Sequence, residues 1–390
     1  MLALDDVRVL DLSRLLPGPF CTLLLADLGA DVIKVEDTES GDYLRWMPPL
    51  AGEYSAMFHP LNRNKRSVAI DMKSEAGRDA FLRLVDTADV VVESFRPGVM
   101  ERLRIGWDVL RARNERVILC SISGYGQDGP YQGRAGHDLN YAAIAGVLSL
   151  PADSDSRPSM PPVQAGDLGG GGLDAAVAIL AALHQRARTG RGQWCDIAML
   201  DGLVSWTAPH AAVYFAGEGN ESRSAMLTLY GRFPCYRIYQ CKDGYLTLGA
   251  LEPKFWRGFV EQVGLPHLAD FGFREGADGL RAITEVEAVL MQRTRTEWSE
   301  HFGGSDVCCE PLLHLDETFA HPQVQHRSLQ LDAGVGGPLP QCGTPLRLSD
   351  SPFSVRHQAP GFGEHTRELL RDAGYDDASV DQLLAQGAVR

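Results

Sequence analysis

The sequence has few cysteines and none of the spacings that would make them metal ligands or a redox pair. Its eight cysteines include no C-x-x-C pair, and the adjacent Cys308 and Cys309 are too close for an ordinary disulfide bridge. The H-E-x-x-H signature and clustered histidine and cysteine sets are also missing. These absences predict reduced thiols in a cytoplasmic protein and argue against a metal site.

Positive charge and long apolar runs are scarce as well. The chain has 37 Lys and Arg against 51 Asp and Glu, a net charge of −14, so nucleic acid is not an expected partner. Residues 1–9 carry two acids and no apolar core, which disfavours a signal peptide. No apolar run approaches the ~18 residues that span a bilayer, so we expect no membrane partner.

Nucleotide-binding signatures are absent or misplaced. The chain contains no G-x-x-x-x-G-K-[ST] P-loop. Gly124–Gly129 matches G-x-G-x-x-G, but Pro130 and further polar residues follow it where a helix should begin. We therefore interpret this stretch as a loop and expect no nicotinamide cofactor or other prosthetic group.

What the sequence does contain is a repeated alternation of apolar strands and helices. Such alternation predicts an α/β fold with an open, doubly wound parallel sheet, in which ligands bind beyond the carboxyl ends of the strands. The predicted strands are Val7–Leu12, Asp31–Glu36, Ser67–Asp71, Asp89–Glu93, Val117–Ser121 and Trp194–Ala198. The predicted helices are Phe20–Leu28, Glu75–Thr87, Val99–Asn114, Asn140–Leu148, Leu173–Arg186 and Leu200–Ala216.

At 390 residues the chain is longer than one core usually supports, so two domains are expected. Residues 1–200 form a large α/β domain, and residues 201–224 a helix and a polar linker. A smaller α+β domain is predicted at 225–328, and residues 329–390 form a Pro/Gly-rich return linker and a C-terminal helix from Gly363. The small domain holds a hairpin of Cys235–Tyr239 and Tyr245–Leu248, with helices at Pro253–Val263 and Glu285–Arg295.

Two groups able to carry protons stand at predicted helix starts. His137 and Asp138 follow a Gly/Pro-rich loop, and Asp167 comes just before the run Gly169–Gly172. Each of them taken singly is as well explained by a structural histidine or a helix N-cap. Together they place acid–base groups at helix N-termini, where free backbone N–H groups favour developing negative charge. That arrangement suits proton abstraction next to a carbonyl.

Six basic residues cluster in the first half of the chain. Either they form an ordinary charged surface, or they form an edge that binds the phosphates of a nucleotide-like ligand, because Arg and Lys pair well with phosphate oxygens. They are Arg63, Lys65, Arg66, Arg96, Arg102 and Arg104.

Seven motifs together resemble the class III CoA-transferase superfamily (CaiB/BaiF type), which includes formyl-CoA transferase, carnitine CoA-transferase and α-methylacyl-CoA racemase. The resemblance implies a Rossmann-like large domain built from both chain ends, a small domain between them, and an interlocked homodimer. It also implies that the basic segments bind coenzyme A, which is part of a thioester substrate. The motifs are Arg14–Pro19, Leu28–Glu36, Asn64–Ser67, Arg96–Val99, Gly124–Gln127, Gly136–Tyr141 and Gly361–Thr366.

The resemblance also implies roles for individual residues. In the transferases, the aspartate matching Asp138 attacks the thioester and forms a mixed anhydride. The racemases have a histidine, an acid about thirty residues later and a glutamate, which match His137, Asp167 and Glu252. Leu16 replaces a functional glutamine of formyl-CoA transferase, which argues against oxalate–formate exchange.

We therefore expect epimerisation of a 2-methylacyl-CoA by His137 and Asp167. The backbone N–H of Asp138 would bind the enolate oxygen, and Glu252 would hold His137. CoA transfer through Asp138 and non-catalytic acyl-CoA binding are the alternatives. A racemase stretch, Met-Leu-Asp-Gly-Gly-Ala-Pro, is replaced here by residues 226–234. The acyl group therefore stays open among branched fatty, bile-acid-like and aromatic chains.

Overall fold

The computed structural model describes residues 1–150, 158–216, 229 and 231–390, and it divides into two compact units. The first unit contains residues 1–149, 158–207 and 322–390, and so includes both ends of the chain. The second unit contains the described residues between Ala208 and His321. Residues 217–224 of the predicted linker lie outside the described residues, as do residues 226–228 and 230 of the substituted stretch.

Six parallel strands form the sheet of the first unit, which confirms the predicted α/β class. Their order is β5–β2–β1–β6–β7–β8. The chain builds outward from β1 on one side and then returns to β6 on the other, so the topological switch point lies between β1 and β6. The strands are β1 (Arg8–Asp11), β2 (Asp31–Glu36), β3 (Leu50–Ala51), β4 (Tyr54–Ser55), β5 (Lys65–Ala69), β6 (Val90–Glu93), β7 (Ile118–Ser123) and β8 (Trp194–Ala198), of which β3 and β4 pair as a separate hairpin.

Helices cover both faces of this sheet, which is why its central strands are apolar on both sides. On β6, Val91 packs into the core on one face of the sheet, and Val90 and Val92 pack into the core on the other face. The helices are α1 (Pro17–Asp27), α2 (Phe58–Asn62), α3 (Glu75–Val85), α4 (Val99–Arg102), α5 (Trp107–Arg113), α6 (Asp138–Ile144), α7 (Asp174–Thr189) and α8 (Met199–Trp206), with 3₁₀ turns at Tyr43–Trp46 and Val147–Ser149.

Two long predicted helices are wrong because each is broken near its middle. The helix predicted at Val99–Asn114 is the pair α4 and α5, since Arg104 adopts a left-handed φ of 59° between them. The helix predicted at Leu200–Ala216 is α8 followed by α9 (Ala208–Phe215). Pro209 has no N–H to donate and suits the first turn of a new helix.

The glycine run is helical, although the sequence placed the helix start at Leu173. Residues Ala165–Leu173 form a π-helix that continues directly into α7. A Cβ on Gly170 would lie 2.8 Å from the carbonyl oxygen of Met199, so glycine allows this segment to pack closely on α8. The joined segment Ala165–Thr189 has the length and composition of a membrane span, with half of its most apolar window buried inside the protein. No uninterrupted apolar run in it approaches ~18 residues, because Asp167, Asp174 and Arg186 divide it.

The second unit packs helices around a three-stranded antiparallel sheet, and its predicted hairpin is confirmed. The helix predicted at Glu285–Arg295 is wrong, because Thr294 caps a new helix by accepting the Glu297 N–H at 3.2 Å. Its elements after α9 are β9 (Tyr236–Cys241), β10 (Gly244–Gly249), α10 (Pro253–Gln262), a 3₁₀ turn (Pro266–Leu268), α11 (Gly276–Leu290), α12 (Arg295–Phe302), β11 (Cys309–Pro311) and α13 (Leu315–Ala320).

The C-terminal part of the first unit returns to the edge strand β5. The His365 N–H donates to the Ser67 carbonyl at 2.9 Å, and the Arg390 N–H donates to the Ala69 carbonyl at 3.1 Å. These bonds cover an edge that would otherwise be exposed. The elements are α14 (Pro322–His326), β12 (Gln330–Leu331), β13 (Gln341–Cys342), α15 (Thr366–Asp372) and α16 (Asp377–Ala385).

Candidate active site

A cavity of about 400 Å³ lies at the switch point of the parallel sheet. Its walls come from the segments that follow β1, β6 and β7, namely Arg14–Pro17, Ser94–Pro97 and Ser123–Tyr125. Doubly wound sheets bind ligands at this position, because the loops after adjacent strands diverge there. His137 and Asp167 both line this cavity.

His137 is the N-cap residue of α6. Its extended backbone, with a φ of −132°, turns the loop into the helix. The His137 N–H donates to Oδ1 of Asn140 at 3.0 Å, and the Asn140 N–H donates back to the His137 carbonyl at 2.7 Å. These two bonds fix the backbone and leave the exposed imidazole at the cavity wall.

Asp167 lies in the first turn of the π-helix and is only partly exposed. Burial raises the pKa of Asp167 to about 6, and the negative charge of Asp138 adds to the rise, whereas His137 opposes it. His137 and Asp167 are therefore close enough to interact electrostatically. A carboxyl pKa near neutrality suits a group that both accepts and donates protons.

Asp138 begins α6, but its side chain is not part of the cavity wall. Its Oδ1 accepts the backbone N–H of Asp167 at 2.9 Å, and a Cβ on Gly166 would lie 2.8 Å from the same oxygen. This carboxylate therefore holds the segment that carries Asp167. The predicted attack on a thioester by Asp138 stays a prediction. The Asp138 N–H lies in the first turn of α6, where no intrahelical acceptor exists.

An aromatic pair that was not predicted supports the backbone directly before His137. The Tyr141 hydroxyl donates to the Gly136 carbonyl at 2.6 Å, and the Tyr141 ring meets Tyr125 edge to face at 5.1 Å. A Cβ on Gly124 or Gly136 would come within 2.5 or 2.7 Å of the Tyr141 ring. The glycine directly before His137 was the signal for this close packing.

Arg63 and Lys65 do not fit their predicted role in phosphate binding, because both are buried in ion pairs. Arg63 contacts Asp27 with Nη2–Oδ2 at 2.6 Å. Lys65 Nζ lies 3.1 Å from Asp11 Oδ2 and 2.7 Å from Thr22 Oγ1. Neither side chain is more than 2% exposed.

Arg66 is also committed to carboxylates of its own chain. It bonds Asp31 at 2.7 Å and Glu368 at 2.7 Å, and its side chain is largely buried. Three cations out of the predicted six are therefore neutralised internally. This was not visible in the sequence, since the carboxylate partners of these three residues are 35 to 302 positions away along the chain.

Arg96, Arg102 and Arg104 are exposed, and Arg96 lines the cavity. Over the part of the chain that the structure describes, none of these three forms an ion pair. Two further arginines that sequence reasoning missed also line the cavity. Arg14 is paired with Asp37 at 2.9 Å, and Arg134 stacks on the Tyr131 ring at 3.9 Å.

Glu252 is the N-cap residue of α10 in the second unit, and its side chain is exposed. Its predicted hydrogen bond to His137 stays a prediction.

Comparisons with known proteins agree with the motifs. The sequence profile described as CoA-transferase family III matches residues 4–366. Succinyl-CoA:glutarate CoA-transferase of Mus musculus is 34% identical over 100% of this chain and 91% of its own length. Alpha-methylacyl-CoA racemase of Mus musculus is also 34% identical, over 98% and 96%. The crystal structure of a CAIB/BAIF family protein from Brucella suis superposes with a TM-score of 0.83 at 32% identity, covering 95% of this chain and 99% of that one.

Proposed function

This chain belongs to the class III CoA-transferase family, and on that premise we propose that it epimerises the α-carbon of 2-methylacyl-CoA thioesters. The observation that carries the proposal is that His137 and Asp167 line one cavity from two different helix N-termini. Two proton-carrying groups on one reacting centre are what inversion at carbon requires.

In the proposed reaction, one of the two groups removes the α-proton while the other delivers a proton to the opposite face. Breaking the C–H bond leaves its electron pair on a planar enolate, and forming the new C–H bond on the other face inverts the centre. The thioester favours this step because sulfur donates poorly into the carbonyl and so leaves the α-proton acidic. The Asp138 N–H is the proposed donor to the enolate oxygen, and one such donor contributes ~3–4 kcal/mol.

The supporting residues have separate roles in this proposal. Asp138 holds the Asp167 backbone through the 2.9 Å bond and disfavours its ionised form by like charge. Glu252 would fix the tautomer of His137 through a hydrogen bond, as carboxylates do for catalytic imidazoles.

The pH profile is expected to report the ionisation of Asp167. His137 and Asp167 must share one proton between them, because one acts as base while the other acts as acid. Below the pKa of Asp167, about 6, this carboxyl is protonated and cannot act as the base. We expect kcat/KM to fall about tenfold per pH unit below that value, in both directions of epimerisation. A flat profile down to about pH 4.5 would contradict the role of Asp167.

We also propose that Arg96 binds a phosphate of coenzyme A, with Arg102 and Arg104 nearby in sequence. Arg96→Gln should raise the KM for the acyl-CoA about tenfold, because a charge-assisted bond to phosphate is lost. The KM for the matching acyl-pantetheine, which has no nucleotide phosphates, should not change. Arg111→Gln, an exposed arginine on α5, is the matched control. Equal effects on both substrates would place Arg96 away from the phosphates.

CoA transfer between a thioester and a free acid is the second candidate, with the carboxylate of Asp138, which bonds the backbone of the cavity residue Asp167, as the nucleophile. In that reaction the carboxylate attacks the thioester carbonyl and the C–S bond breaks. The thiolate of CoA departs, and the acyl group remains on the carboxylate as a mixed anhydride. The resemblance assigns this step to Asp138, whose Oδ1 accepts the Asp167 N–H at 2.9 Å.

Proton NMR with 2-methyldecanoyl-CoA in D₂O separates the candidates. Loss of the α-proton signal without any added acid supports epimerisation. No wash-out, together with formation of succinyl- or formyl-CoA after adding succinate or formate, supports transfer. Tight CoA binding with neither event would support a non-catalytic acyl-CoA-binding protein.

We further propose a homodimer, as the resemblance implies. Leu173, Val177 and Leu180 form an exposed apolar stripe at helical spacing, and large exposed apolar stripes mark protein interfaces. Sedimentation equilibrium should give twice the chain mass of 42.6 kDa. A monomer at micromolar concentration would contradict this proposal.

A further inference from the structure

Three polar side chains stand side by side on neighbouring strands at the carboxyl ends of the sheet. Glu93 on β6 pairs in register with Ser121 on β7, which pairs with Asp196 on β8. We call these three residues the carboxyl-end row. Glu93 is 3% exposed and is the last residue of β6, directly before the cavity wall segment Ser94–Pro97.

The side chains of this row bind the backbone of the loops that follow the strands. Oε2 of Glu93 accepts the Phe95 N–H at 2.7 Å. Asp196 Oδ2 accepts the Gln127 N–H at 3.0 Å in the loop after β7. The Ser121 hydroxyl accepts the Trp194 indole N–H at 2.9 Å. The buried Glu93 carboxyl thus accepts a hydrogen bond from the backbone N–H of Phe95, just beyond the end of β6.

The segment that Glu93 holds is also tied to the loop after β1. The Arg14 N–H donates to Ser94 Oγ at 3.3 Å. Ser94 and Phe95 are therefore anchored on two sides, and Arg96 follows immediately with an exposed side chain on the cavity. The direction of Arg96 depends on how firmly these two residues are held.

We propose that Glu93 is a positioning residue for the coenzyme A moiety, which fixes the Phe95 backbone and thereby presents Arg96 to a phosphate. This inference rests on the proposed function, since it takes an acyl-CoA as the ligand of the cavity. Glu93 touches neither the thioester nor the phosphates, and its effect is on binding rather than on proton transfer.

The groups around Glu93 make its hydrogen bond sensitive to pH. Glu101 on α4 and Asp196 on β8 act on it with like charge, and no described cation forms an ion pair with it. Burial, chiefly, raises the pKa of Glu93 to about 7. The bond to Phe95 is charge-assisted above this value and neutral below it, and charge-assisted bonds are roughly twice as strong.

Isothermal titration with CoA, joined to steady-state kinetics, tests the proposal. Glu93→Ala should raise both the Kd for CoA and the KM for the acyl-CoA about tenfold, with kcat within about threefold. Glu93→Gln retains an acceptor for the Phe95 N–H and should restore most of the affinity near pH 5.5. The ratio of its Kd to that of the wild-type protein should be about 1 there and rise severalfold by about pH 8.5.

Glu101→Gln is the matched control, because it removes a nearby negative charge without removing a bond to the loop. Its Kd ratio should be near 1 at both pH 5.5 and pH 8.5, because Glu93 is mostly neutral at the first and mostly charged at the second in both proteins. Wild-type affinity in Glu93→Ala, or a flat ratio for Glu93→Gln, would overturn the inference and leave the proposed function standing. If the wild-type protein binds no CoA, the proposed function is wrong and the inference falls with it. Should Glu93→Ala fail to fold, the isosteric Glu93→Gln carries the test.

Discussion

Asp167→Asn is expected to abolish inversion at the α-carbon while making the folded protein more stable at neutral pH. The amide cannot take or give the α-proton, so epimerisation should fall on the order of 10²–10⁴-fold. The opposite effect on stability follows from the cavity itself, which holds this carboxylate partly buried and beside Asp138.

The sign of the stability change follows from the two ionisation states. An aspartate in the unfolded chain has a pKa of 3.8, and burial with the charge of Asp138 raises the pKa of Asp167 to about 6 in the folded protein. Below 3.8 the group is neutral in both states, and its ionisation costs no stability. Between 3.8 and 6 the carboxyl is ionised mainly in the unfolded chain, so the free energy of unfolding falls as pH rises. Above 6 this loss is nearly complete, at about 2–3 kcal/mol. Chemical denaturation should show this gain for the asparagine variant at pH 7.5, shrinking as pH falls from 6 toward 4.

The stereochemistry of proton exchange separates the two bases. Each epimer of a 2-methylacyl-CoA would present its α-proton to a different group. In D₂O, His137→Gln should lose wash-out from one epimer and Asp167→Asn from the other, while both lose inversion. Unchanged inversion in either variant, or loss from the same epimer in both, would contradict the two-base scheme. If the Asp167→Asn variant is more stable than the wild-type protein, its loss of activity is not caused by unfolding.

Lys65→Met is expected to lower the free energy of unfolding by about 3–5 kcal/mol. The substitution removes the positive charge that is paired with the Asp11 carboxylate, which stays buried. The ammonium group donates to Asp11, Thr22 and Asn62 and to the Pro19 carbonyl, at 2.7 to 3.2 Å. All three of its protons are therefore engaged inside the protein. Burial alone would raise the pKa of Asp11, but the charges of Lys65 and Lys34 hold it at about 2.

The same substitution decides between a structural lysine and a phosphate ligand. Urea unfolding measures the stability, and the Kd for CoA is measured on the folded fraction. We expect a large loss of stability with little change in Kd. Lys73→Met, on an exposed lysine, should change neither quantity by much. Normal stability with a raised Kd would return Lys65 to the phosphate-binding set.

Much of the fold was predictable because its signals are local. The strand Asp31–Glu36 and the edge strand Trp194–Ala198 were predicted at their observed bounds. The first is a buried apolar run before a turn, and such a run specifies a strand without distant partners. Element ends that depend on backbone conformation were missed. Arg104 takes a left-handed φ that no propensity indicates, and the glycines of Ala165–Leu173 are helical only because α1 and α8 pack against them.

The sequence by itself determined that His137 stands at a helix start, because a loop of glycine and proline precedes an apolar helix there. It placed Asp167 just before a glycine run, but only the structure shows that this run is helical from Ala165. Only the tertiary structure decided that these two share a cavity, that Asp138 faces the Asp167 backbone, and that Arg63 and Lys65 are buried. The physical reason is strand order. The return of the chain from β5 to β6 brings the loop after β1 beside the loop after β6, and which charges lie inside or outside follows from that long-range pairing.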